Sequence, residues 1–123
     1  MASNLLSLEE RSGVTVVRVN EKKLYQQAAT TFRAEMLGLL DQEHRLLLLD
    51  LSEVAVMNSS ALGVVILTYD RVNKEGGKFA LGGLSPILEE LFVRMHLNEL
   101  FPVVKTADEG ISLLAGAKNI PAK

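Results

Sequence analysis

A chain of 123 residues that is 48% hydrophobic and 23% charged has the size of one ordinary domain and enough apolar side chains to fill its core. Thirteen basic against fifteen acidic residues give a formal charge of −2, which leaves no basic surplus for a general nucleic-acid or anionic-membrane surface. The absence of cysteine excludes disulfides, thiolate metal sites and cysteine nucleophiles, and the longest apolar run, 61–67, is far short of a membrane span.

The opening MASNLLSLEE has no basic segment ahead of an apolar one, so it does not read as a signal peptide, and a cytoplasmic protein is expected. Residues 5–11 read as extended and lead through Ser12-Gly13, a short turn signal, into the β-branched run 14–19, so a hairpin is predicted. Val14 and Val16, and Val19 after a slip, are expected to face inward. From Ala28 the period becomes helical: Ala28, Ala29, Phe32, Met36, Leu39 and Leu40 share one face, with Arg33, Glu35 and Asp41 on the other. The run 46–49, continued by Asp50 and Leu51, fits a strand buried on both faces.

A helix is predicted to start near Asn58 or Ser59, with Leu62, Val65, Ile66, Tyr69 and Val72 as its apolar stripe and Gly76-Gly77 as its end. A short strand at 78–81 follows. Ser85-Pro86 then opens a helix with a hydroxyl cap and a proline at the first helical position. Leu88, Leu91, Phe92 and Met95 line it as far as His96. The segment 101–104 reads as an edge strand because Pro102 lacks a ladder donor. Thr106 to Glu109 has capping-box spacing and starts a last helix through Ile111, Leu114 and Ala115, ahead of a polar tail at 119–123. The order β-β-α-β-α-β-α-β-α predicts an α/β domain whose mixed, mostly parallel sheet is packed with helices. Residues 1–123 read as a single domain with an ordered core at about 4–116.

The informative stretch is 47–65, LLLDLSEVAVMNSSALGVV: a buried strand, a short connection, and Asn58-Ser59-Ser60-Ala61 at a helix start. Unpaired N–H groups and the partial positive charge at such a start accommodate a phosphate. From the pattern alone the stronger reading is that Asn58 or Ser59 simply caps the helix, as Asn and Ser commonly do. Other candidates give less. Asp50 at the end of its strand is similar to the phosphoacceptor of a receiver domain, but Glu9-Glu10 do not make the acidic pair that would hold Mg²⁺, and Lys105 reads as a surface lysine. His44 and His96 are too few for a histidine-rich metal site, although carboxylates could still bind a hard cation. Gly82-Gly83 lacks the spacing of a phosphate loop, and Met36, Met57 and Met95 read as core filler. No nucleophile, base and acid can be assembled from spacing, so no enzyme is predicted.

Nearly the whole chain resembles a STAS domain, the fold of bacterial anti-sigma factor antagonists. That family carries Asp-Ser-Ser/Thr-Gly-Leu-Gly between its third strand and second helix; here the segment is Asn58-Ser59-Ser60-Ala61-Leu62-Gly63. The likeness extends to Leu49-Asp50-Leu51-Ser52, to Gly76-Gly77, and to Leu84-Ser85-Pro86 with Leu91-Phe92. Asn58 stands in place of the family's aspartate, Ala61 in place of its glycine, and 20–24 lacks the glycine usual between second strand and first helix. The resemblance implies phosphorylation of Ser59 by a partner that is both serine kinase and anti-sigma factor. It also implies an interface at Asn58, Ser59, Ser60, Ala61 and Leu62, so the segment 58–62 is expected to be exposed, and a phosphatase to reverse the modification. Direct nucleic-acid binding, membrane insertion, a metal and a cofactor are not implied. The alternatives are a STAS accessory subunit of a lipid or anion transport complex with a constitutive docking surface, and a receiver-type phosphoaspartate domain at Asp50.

Overall fold

A computed structural model describes residues 5–42 and 45–118; His44 and the tail at 119–123 lie outside them. Strands β1 (Leu6–Arg11) and β2 (Val14–Val19) form the hairpin. Its two connecting residues, Ser12 at φ 54° and Gly13 at φ 80°, both lie in the left-handed region, which matches the turn to the twist of the flanking strands. After β3 (Lys23–Leu24) comes α1 (Gln27–Leu40), then β4 (Leu46–Asp50), β5 (Val56–Met57) and α2 (Ser59–Lys74). The chain continues through β6 (Lys78–Gly82), α3 (Pro86–Arg94), a 3-10 turn at Leu97–Glu99, β7 (Val103–Val104) and α4 (Ala107–Lys118).

Among the described residues the main sheet has five strands in the order β1-β2-β4-β6-β7, antiparallel only at β1–β2. The expected α/β architecture with a mostly parallel sheet is the one observed. β7 lies at an edge, where the missing N–H of Pro102 costs nothing while its carbonyl still accepts from Leu81 N–H at 3.0 Å.

Every residue of β4 is buried, as its unbroken apolar run requires. Leu47, Leu49 and Leu51 join Phe32, Met36, Val65 and Phe92 in the larger core, which α1, α2 and α3 cover. Leu46 and Leu48 face the other way, onto Ile111 and Leu114 of α4. The same two-sidedness corrects the expectation for β2. There is no slip: Val14 and Val16 pack in the α4 cluster, whereas Val17 and Val19 pack in the larger core. A strand covered on both faces has no polar side to set its register, so all four valines are interior. Helix α4 lies close to the sheet because position 110 is glycine; a Cβ there would meet Leu48 Cδ1 at 2.5 Å.

The predicted caps form. Ser85 Oγ accepts from Leu88 N–H at 3.3 Å with Pro86 in the first turn. Thr106 Oγ1 accepts from Glu109 N–H at 3.1 Å, while the Glu109 carboxylate reaches back to Lys105 N–H at 2.9 Å, one residue before the position a standard capping box would use. Met95, expected on the inner side of α3, is exposed: the helix stops at Arg94, and His96 in the left-handed region turns the chain away.

Two short strands, besides the 3-10 turn at Leu97–Glu99, escaped the sequence reading. β3 and β5 form a separate parallel pair, Lys23 with Val56 and Leu24 with Met57, extended by Ala55 and Val56 N–H groups donating to Lys22 carbonyl and by Asn58 N–H donating to Leu24 carbonyl at 3.1 Å. This small ladder ties the segment before α1 to the segment before α2.

Candidate functional site

The start of α2 is built by Asn58. Its backbone is extended, at φ −94° and ψ 179°, and its Oδ1 accepts the Ala61 N–H at 2.9 Å, satisfying one of the donors that a helix start leaves without a partner. The cap is therefore Asn58 and not Ser59. Ser59 and Ser60 are exposed, so neither hydroxyl is hidden beneath another element.

The five residues expected to form an interface divide in two. Asn58 is half-buried and the two serines are exposed. Ala61 and Leu62, at 0% and 5% exposure, are not surface residues, which corrects the expectation that the whole segment 58–62 is exposed. One helical turn carries the chain from solvent to core: Ala61 and Leu62 point into the larger cluster with Val64 and Val65. Surface chemistry at this helix start belongs to positions 58–60.

Beside the serines lies a groove between α1 and α2, lined by Gln26, Thr30, Arg33, Asn58, Ser60 and Gly63 among others, none of them acidic. The β3–β5 ladder brings the start of α1 to this place, since Asn58 N–H bonds to Leu24 two residues before Gln26. Gln26 has φ 53° and ψ −129°, a conformation that suits glycine and is strained for a residue with a Cβ. Its carbonyl accepts from Ala29 N–H at 3.1 Å and Thr30 N–H at 3.2 Å, so the turn starts α1 with no side-chain cap. Sequence reading placed Arg33 on the polar face of its helix but not at this groove. No spacing within α1 signals it, because the groove exists only where α1 lies beside α2.

Asp50 is spent on structure. It is 2% exposed, its Oδ2 accepts from Arg18 Nε at 3.2 Å, and its Oδ1 accepts from Ser52 N–H at 3.0 Å. Glu9 and Glu10 lie on β1, the edge strand beyond β2, and Glu10 accepts from Thr15 Oγ1 at 2.6 Å. Among the described residues no group of three or more His, Asp and Glu side chains is placed to hold a metal ion. The receiver-like reading of Asp50 thus has neither an accessible acceptor nor an acidic cluster. His96 pairs with Glu99 at 3.0 Å on the surface, and Lys105 is exposed after the edge strand. Among the described residues no helix is long and apolar enough to cross a membrane.

Comparison with known proteins agrees with this geometry. The STAS domain family model matches residues 6–110. The anti-sigma F factor antagonist of Paenibacillus polymyxa is 26% identical over 112 residues, which span 89% of this chain and 91% of that protein. Among solved structures, an anti-sigma factor antagonist from Mycobacterium paratuberculosis superposes with a TM-score of 0.79 at 24% identity, covering 89% of this chain and 92% of its own. An anti-sigma-factor antagonist (STAS) domain protein from Planctomyces limnophilus gives 0.78 at 21% identity, covering 89% and 97%. At these identities the two structures establish the shared fold.

Proposed function

The chain belongs to the STAS domain family as an anti-sigma factor antagonist-like domain, and we propose that it is a binding module whose association is switched by phosphate on Ser59. In the unmodified form it binds a serine-kinase anti-sigma factor and releases the sigma factor by competition. The observation that carries this reading is the division of labour at the start of α2. Asn58 makes the cap bond, which leaves the Ser59 hydroxyl exposed for a kinase.

A phosphoryl group there adds roughly −1.5 to −2 charge at neutral pH. The helix start tolerates that charge, so the fold stays intact. Burying the same charge against a partner that offers no matching cation is costly. The switch therefore acts on association and not on folding. A phosphatase resets it, and the chain itself supplies no catalytic group.

The test uses the partner recovered by pull-down and identified by mass spectrometry. Binding is titrated with wild type, Ser59→Ala and Ser59→Asp, and phosphate is located in the recovered chain. Retained binding for Ser59→Ala and weakened binding for Ser59→Asp support the switch. Equal binding of wild type and Ser59→Asp, with no phosphate ever found, would instead assign a constitutive docking role, as in a transport accessory subunit.

A further inference from the structure

We propose that the groove between α1 and α2 is a receptor in cis for a phosphoryl group carried on Ser60, with Arg33 as the cation that takes it. This rests on reading the start of α2 as a region open to a serine kinase, but it concerns the second serine and the opposite wall of the groove. The two hydroxyls are one residue apart in sequence and differ in setting. Ser60 lines the groove and Ser59 does not.

Across from Ser60 stand Arg33 of α1, with Thr30, whose Oγ1 donates to Gln26 carbonyl at 3.4 Å, and Gln26 at the start of the helix. Arg33 is exposed and has no ion pair among the described residues, so its guanidinium is available to a phosphate, for which its planar fork of donors is well suited. No carboxylate lines the groove to compete. The space is also open at Gly63, three residues after Ser60 on the same helical face, where even an added Cβ would meet nothing within 4 Å.

The covalent step is an ordinary kinase transfer. Ser60 Oγ forms a bond to the γ-phosphorus of a nucleoside triphosphate held by the kinase, and the bridging P–O bond to the nucleoside diphosphate breaks. The hydroxyl proton passes to a base of the kinase. The consequence is an asymmetry between neighbours. Phosphate on Ser59 stands as an unmatched charge on the partner face, whereas phosphate on Ser60 is neutralised within the chain and clamps α1 to α2.

The experiment needs no partner, so its outcome is independent of whether the Ser59 switch exists. The full chain is prepared with phosphoserine installed during translation at position 60 or at position 59, each with and without Arg33→Gln, and the phosphate is titrated by phosphorus NMR. With Arg33 present, the second ionisation of the phosphate on Ser60 falls below that on Ser59 by at least about half a unit. Arg33→Gln erases this difference and leaves the Ser59 titration where it was, and Arg33→Lys restores part of it. A Ser60 phosphate whose titration ignores Arg33→Gln overturns the receptor. Equal responses at the two positions overturn its specificity for Ser60. Far-ultraviolet circular dichroism of each variant confirms that an exposed helical substitution has left the fold in place.

Discussion

Arg18 and Asp50 are register partners on the adjacent parallel strands β2 and β4, with Arg18 Nε 3.2 Å from Asp50 Oδ2. The arginine is half-exposed while the carboxylate is 3% exposed, so the pair seals a strand end and is not a simple surface ion pair. With Oδ1 bonded to Ser52 N–H, the carboxylate also fixes the turn that leaves β4.

Asp50→Ala removes both acceptors from a buried strand end and leaves the Ser52 N–H without its partner. A loss of about 1–3 kcal/mol is expected from the hydrogen bonds, read as a lower urea midpoint with an unchanged slope. Incubation with acetyl phosphate leaves the intact mass unchanged, because neither oxygen is accessible. An aspartyl adduct at Asp50 would revive the receiver-type reading.

Gln26→Gly should raise stability by roughly 1 kcal/mol, since it relieves a side chain held at φ 53° and ψ −129° by more than the added freedom of the unfolded chain takes away. Thermal unfolding gives the sign directly. A decrease would show that Gln26 side-chain contacts in the groove outweigh its backbone strain.

Much of this fold was legible because its elements announce themselves locally. The five buried residues of β4 appear as one apolar run, and Ser85-Pro86 and Thr106 with Glu109 mark two helix starts through hydrogen bonds that span three residues. What stayed hidden depends on partners far along the chain. β3 and β5 have two residues each, too few for any period, and exist because each pairs with the other. At the site, Asn58 to Ser60 were legible as a helix start, but the burial of Ala61 was not anticipated. The apolar stripe starts at Leu62 in the sequence reading, and the larger core takes in Ala61 one residue earlier. Gln26 and Arg33 reach the groove only through the β3–β5 ladder and the packing of α1 on α2, which no spacing within either helix records.

The two-sided burial of β4 gives a paired test. Leu49→Ala empties a 0% exposed position in the larger core and should cost about 2–5 kcal/mol. Gly110→Ala acts on the other face, where the added Cβ would sit 2.5 Å from Leu48 Cδ1, and overpacking should cost about 1–3 kcal/mol. Leu49 on one side of β4 and Gly110 of α4, against Leu48 on the other, lie at separate clusters, so the double variant, measured by urea unfolding, should come close to the sum of the two. A large departure from additivity would mean that the sheet transmits strain between its faces.

The closing test separates the cap from the switch at neighbouring positions. Asn58→Ala removes the acceptor of the Ala61 N–H and should cost about 1 kcal/mol, the usual loss for an N-cap. Asn58→Asp keeps a short capping oxygen and adds a negative charge that the helix start favours, so stability should hold or rise slightly. Ser59→Ala should change stability by no more than about 0.5 kcal/mol, as for an exposed side chain outside the cap. Modification and binding follow a different order. Asn58→Asp places a carboxylate beside the hydroxyl proposed as the phosphate acceptor, where Coulomb repulsion opposes a second negative group while the added charge offers a kinase a new contact. Its phosphorylation by the cognate serine kinase should therefore differ from wild type with the fold unchanged. Ser59→Ala should abolish phosphate at that position and still bind the unmodified-state partner. If Ser59→Ala instead lost as much stability as Asn58→Ala in the same denaturant series, Ser59 would be a structural residue, and its exposure at the start of α2 would no longer support a switch.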